Sequence, residues 1–96
     1  MFELGNEIYE LRYNLKTIET LENTTGKPIV DLIREVPPVS RIKVMLGIAL
    51  YNSSGNQVSA QRGGELAEEI LQKYGLLESF NQSVGKIVED CGFLFQ

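Results

Sequence analysis

The chain opens on an alternation of period two. From Glu7 to Tyr13, "EIYELRY", the residues Tyr9, Leu11 and Tyr13 fall on one side of an extended strand, and Ile8, Glu10 and Arg12 on the other. That is the pattern of a half-buried β-strand rich in β-formers. The shorter "FEL" precedes it, and Gly5-Asn6 between them suits a tight turn because both residues tolerate positive φ. A β-hairpin with strands near 2–4 and 7–13 is expected. A lone hairpin is marginal in water. Its apolar face must therefore lie on helices or pair with another chain.

After Asn14 the period lengthens. Leu15, Ile18 and Leu21 recur at spacing three, one stripe of an amphipathic helix over 15–25. Asn14 serves as its N-cap, and Gly26 as its left-handed terminator after the β-branched Thr24-Thr25. "PIVDLIREV" places Ile29, Leu32, Ile33 and Val36 on one face of a helix over 28–36, with Pro28 in its first turn and Pro37-Pro38 as its stop. "SRIKVMLGIALYN" predicts a helix over 40–51, capped by Ser40, with Ile42, Met45, Leu46, Ala49 and Leu50 inward. It is the most apolar segment, and so the expected centre of the core. Gly47 within it costs about 1 kcal/mol against Ala and lets another helix come close.

Residues 52–57, "NSSGNQ", read as an exposed loop. Ser59 caps a helix over 59–74, with Ala60, Leu66, Ala67, Ile70, Leu71 and Tyr74 on its apolar side and Gly75 as its end. Gly63-Gly64 is a weak point, from which that helix could instead begin. The last helix, over 76–91, shows Leu77, Phe80, Val84, Ile87, Val88 and Cys91 at helical spacing, and Gly92 stops it. Phe93-Leu94-Phe95 then either fold back into the core or form a sticky end that meets a partner. The fold class expected is mainly α with α+β character. It is a single small helical domain over 1–96, of four to five helices with an N-terminal β-hairpin.

Composition sharpens this. Ninety-six residues, 43% hydrophobic and 23% charged, have a globular profile with a modest core. No apolar run approaches the ~20 residues that span a bilayer, and "MFELG" lacks the basic and apolar regions of a signal peptide. Thirteen acidic against nine basic residues give a net charge of −4. Those cations are scattered with no basic stripe, which argues against nucleic acid as a partner.

The chemistry is thin. There is no histidine, the commonest general base and metal ligand. The one cysteine, Cys91, stands in "VEDCGF" beside carboxylates that raise a thiol pKa, and reads as a small buried hydrophobe. Thr25-Gly26-Lys27 hints at a phosphate loop, but the motif needs Gly five residues earlier and Ser or Thr after the lysine. Leu21 and Pro28 occupy those places. Glu65 and Glu69 stand four apart on a solvated helix face, with no histidine to complete a metal site. A carboxylate pair drawn from Asp31, Glu35 and Asp90 is the remaining route to catalysis. No enzymatic activity, cofactor or metal is expected. The candidate contact residues are Tyr9, Leu11 and Tyr13 on the hairpin and Phe93, Leu94 and Phe95 at the end of the sequence. The alternative for the first three is that they merely cover the helices.

Taken in order, "YELRYNL", "TIETLENTTGKPI", the proline-punctuated run, "GGELAEEILQKYG" and "VEDCGFLFQ" carry a resemblance that runs almost from end to end. The chain resembles the tail assembly chaperones of long-tailed bacteriophages, particularly those of Gram-positive hosts. "LENTTGKPI" and "GFLF" are the sharpest parts, though they are packing and capping signals rather than chemical motifs. The resemblance implies a small, mostly helical viral protein, without enzymatic activity, in the cytoplasm of the bacterial host. Its partner would be the tape-measure protein, which it would coat and keep soluble while tail-tube subunits are recruited, leaving before the tail is complete. A frameshifted, extended form contacting the tube protein is common in such phages, and this sequence would be the short or a truncated form. Self-association into a homo-oligomeric sheath is a further expectation, with the hairpin edge from Phe2 to Tyr13 as first candidate. The rival reading is a small acidic adaptor or regulator that binds another protein and has no connection with tails.

Overall fold

In the computed structural model, which describes Met1–Gln96, β1 (Phe2–Leu4) and β2 (Glu7–Leu11) form the antiparallel hairpin, with Phe2 opposite Tyr9 and Leu4 opposite Glu7. Gly5 turns at φ 61°, and no other residue of the loop takes positive φ. Glycine alone at the first loop position is the signature of a type II′ turn. Five helices follow: α1 (Leu15–Thr25), α2 (Ile29–Arg34), α3 (Val39–Gly47), α4 (Ala60–Tyr74) and α5 (Leu76–Cys91). A 3-10 turn over Gly92–Phe95 ends the chain. The expected mainly helical domain with an N-terminal hairpin is what forms.

The capping signals work locally. Asn14 Oδ1 accepts from Thr17 N–H at 2.8 Å, and Ser59 Oγ from Arg62 N–H at 3.3 Å. Gly26 closes α1 at φ 70°, and Gly75 separates α4 from α5 at φ 85°. Pro28 stands one place outside α2 in extended conformation rather than in its first turn. The first N–H of α2, that of Ile29, is instead taken by the Glu22 carboxylate of α1 at 2.8 Å.

Three expectations about the middle of the chain are corrected. α2 stops at Arg34, with Glu35 already extended. α3 begins at Val39 after Pro38, so Ser40 is inside the helix and caps nothing. It also ends at Gly47 rather than continuing to residue 51. Leu50–Tyr51 form a short strand, β3, that pairs with β2 and extends the sheet in the order β1-β2-β3. The cause is tertiary, because no residue there forbids a helix. Helix C-termini leave carbonyls without donors, and here the chain that follows the hairpin supplies them. Tyr13 Oη donates to the Met45 carbonyl at 2.6 Å, and Arg12 N–H to that of Ala49 at 2.9 Å.

Gly63-Gly64 does not break α4. Gly63 lies against Gly47 of α3, where a Cβ on Gly63 would collide with the Gly47 carbonyl oxygen and one on Gly47 would stand 3.2 Å from the Gly63 carbonyl. This glycine pair sets the crossing of α3 and α4. Around it Phe2, Leu21, Ile42, Met45, Leu46, Ile70 and Ile87 are fully buried in one cluster. Leu15, Val36, Leu77 and Val88, expected inward, are instead 40–63% exposed. Leu15 and Leu77 sit in the first turns of their helices. Val88 follows buried Ile87 by 100° of rotation, which carries it off the inner face.

Candidate binding surfaces

The hairpin residues singled out by the sequence point inward. Tyr9, Leu11 and Tyr13 are 8%, 3% and 4% exposed, and they cover the helices. Tyr13 is fixed at three points. Its hydroxyl meets the Met45 carbonyl and Ser83 Oγ, the latter at 2.7 Å, and its N–H donates to Asp90 Oδ2 at 3.0 Å. Burial pushes its phenol pKa well above the ordinary value; the Ser83 hydrogen bond pulls against that, and the Asp90 charge adds to it. These side chains hold the fold and are not free to meet a partner.

The sheet edge is occupied too. The Phe2–Tyr9 and Leu4–Glu7 pairs flank a two-residue loop, so Glu3 between them turns its N–H and C=O away from β2. Tyr74 Oη accepts the Glu3 N–H at 2.7 Å, and Lys73 Nζ donates to the Glu3 carbonyl. Phe2 and Tyr74 stack edge to face, with centroids 5.1 Å apart. α4 thus covers the backbone that another strand would need, a usual protection of edge strands.

The C-terminal aromatics divide. Phe95 packs on the core, while Phe93 is 57% and Leu94 37% exposed. Val88, on the last turns of α5, is also half exposed. Phe95 therefore folds back onto the core, while Phe93 and Leu94 stay at the surface.

The largest concavity is a groove of about 850 Å³ that the sequence did not reveal. One wall is α1, through Thr17, Thr20 and Thr24, spaced at i, i+3 and i+7. The base is α3, through Val44, Gly47 and Ile48. The far side is the segment entering α4, with Val58, Ala60 and Gly64. Thr17 Oγ1 donates to Asn14 Oδ1 and Thr20 Oγ1 to the Lys16 carbonyl, at 3.0 Å each. With those hydroxyls turned back to their own helix, the γ-methyls are the free part of the wall. Lys16 and Lys43 are its only formally charged lining residues. Lys43 bonds Glu68 at 2.7 Å; that hydrogen bond, and then the lysine charge, hold Glu68 below the usual carboxylate range. The signal that could have found the groove was the Thr-x-x-Thr-x-x-x-Thr stripe, a second coherent face on a helix already read for its apolar one.

The remaining chemistry is dispersed. Asp31 faces Arg34 at 4.0 Å, whereas Asp90 on α5 is committed to Tyr13 N–H and lies 3.5 Å from Lys86. No group of three or more His, Cys, Asp or Glu residues is placed to hold a metal ion. Cys91 is buried, and burial first, then Asp90, pushes its thiol pKa up. No helix is long and apolar enough to cross a membrane. No family model, curated protein or solved structure gives a significant match to the chain.

Proposed function

We propose that the chain is a tail assembly chaperone of a long-tailed bacteriophage, which binds the tape-measure protein, keeps it soluble and helps tail-tube subunits polymerise around it in the host cytoplasm. The order of sequence signals supports this reading. On the molecule, it rests on one observation: the principal concavity is an open groove in which the α1 threonines face Val44, Ile48, Val58 and Ala60, with Lys16, Lys43, Tyr51 and Gln57 also lining it. A tape-measure protein is a long helical polymer, and a helix-in-groove contact repeated along it gains by avidity what each contact lacks in strength. The same groove would serve an adaptor that binds one helical segment of an unrelated protein. Stoichiometry separates the two.

The test is co-expression with the tape-measure protein encoded beside this chain, followed by pull-down and a comparison of client solubility. A client soluble only in company, retained with many copies of this chain per client, is the expected result. An insoluble client with nothing retained removes the tail reading and leaves the adaptor.

A further inference from the structure

The groove between α1, α3 and the start of α4 has a sign. The chain carries a net charge of −4, yet no Asp or Glu lines this surface, while Lys16 and Lys43 do. Lys43 has Glu68 as a partner, but no carboxylate comes within ion-pair distance of Lys16. With Lys43 balanced by Glu68, the groove of this acidic protein carries one uncompensated cation, Lys16, and no carboxylate in its lining.

Its shape selects among occupants. A small-molecule site converges several polar groups on its ligand. Here the Asn14 Oδ1 and the hydroxyl protons of Thr17 and Thr20 are engaged within α1 and its cap. The Thr17–Thr24 wall runs for about 10 Å, seven residues of helical rise. That equals the distance between the i and i+7 anchors of an amphipathic helix laid in a groove. Gly64 presents no side chain and has open space where a Cβ would go, so an incoming backbone can come near.

We propose that this groove docks an amphipathic helix of a partner whose apolar stripe is flanked by carboxylates, the acidic side lying against Lys16 and Lys43. The proposal gives a location and a chemistry to the client contact of the preceding section, and it rests on that contact being made by a helical segment. The client's docking segments would then be acidic.

Two labelled peptides of about 20 residues, long enough to form helix, provide the probe. Both carry the same Leu stripe, flanked by Glu in one and by Lys in the other, and anisotropy reads their binding to the full chain. The Glu peptide is expected to bind about two- to fivefold more tightly, the worth of one exposed ion pair to Lys16, with the preference shrinking as salt is added. Lys16→Glu combined with Thr20→Glu, both at exposed positions of α1, should reverse the preference while leaving the thermal melt in place. Amide shifts should fall on Val44, Ile48 and Gly64. Equal binding of the two peptides, binding of neither, or an acidic preference untouched by the double substitution overturns the proposal. Co-expression of the double variant with the tape-measure protein separates this from the tail reading. A complex formed equally well by the variant defeats the groove and leaves the chaperone. A groove that takes the Glu peptide in a chain that never retains the client defeats the chaperone and leaves the groove.

Discussion

Tyr13 shows how much of this fold depends on one side chain. Its hydroxyl joins a carbonyl near the end of α3 to Ser83 on α5, all of it buried. Tyr13→Phe leaves both partners short of a hydrogen bond, and should cost about 1–3 kcal/mol in denaturant melts at neutral pH. The pH dependence has a definite sign. The folded phenol is raised above its unfolded value of about 10. Its contribution is complete below that pH and is lost as the unfolded chain ionises while the folded one keeps its proton. Between about pH 9 and 11 the parent chain should lose stability more steeply than Tyr13→Phe, by at most about 1.4 kcal/mol per pH unit. Parallel curves would show that the buried phenol is not the group responsible. The sequence disclosed that Tyr13 belongs to the strand period. It could not disclose that Tyr13 faces a helix end, because Met45 and Ser83 are far from it along the chain.

Among the helices, the decisive pair is Gly47 with Gly63. A methyl at residue 63 meets backbone, which cannot swing aside as a side chain would. Gly63→Ala should destabilise by about 1–3 kcal/mol or more through overpacking. Gly85, in the middle of α5, has nothing within 4 Å of where a Cβ would go. Gly85→Ala should stabilise by about 0.5–1 kcal/mol by lowering the entropy of the unfolded chain. A Gly63→Ala melt that matches or exceeds that of the parent chain would mean that the α3–α4 contact has room for a methyl. By intrinsic propensity alone each of these glycines is a weak helix position. Only their neighbours make one indispensable and the other a defect. The same distinction explains α3, whose pattern runs helically to residue 51 while its backbone leaves the helix at Gly47 to complete the sheet.

For the molecule as a whole, the question is which surface is core and which is contact. Phe95→Ala should cost about 1–3 kcal/mol, less than a fully buried Phe would, because Phe95 is only partly buried against the core. Phe93→Ser, at a residue 57% exposed, should change stability by less than about 0.5 kcal/mol. If Phe93 meets a client, its substitution lowers client retention with the melt unchanged. If both substitutions unfold the chain equally, the C-terminal turn packs more closely than the structure places it.

By itself the sequence determined the elements and most of their ends. Asn14, Gly26, Ser59 and Gly75 act through dihedral preference or hydrogen bonds to residues a few places away, and the two periods sorted strand from helix. The apolar stripes likewise foretold Leu46, Ile70 and Ile87 in the core. Tertiary structure alone decided where α3 yields to β3, why Gly63 is indispensable, that α4 closes the edge at Glu3, and that a threonine face of α1 becomes the wall of a groove. In each of those cases the outcome is set by a group distant in the chain that satisfies, blocks or borders the residue. A periodic pattern carries the direction a side chain faces, but not the identity of what it will meet.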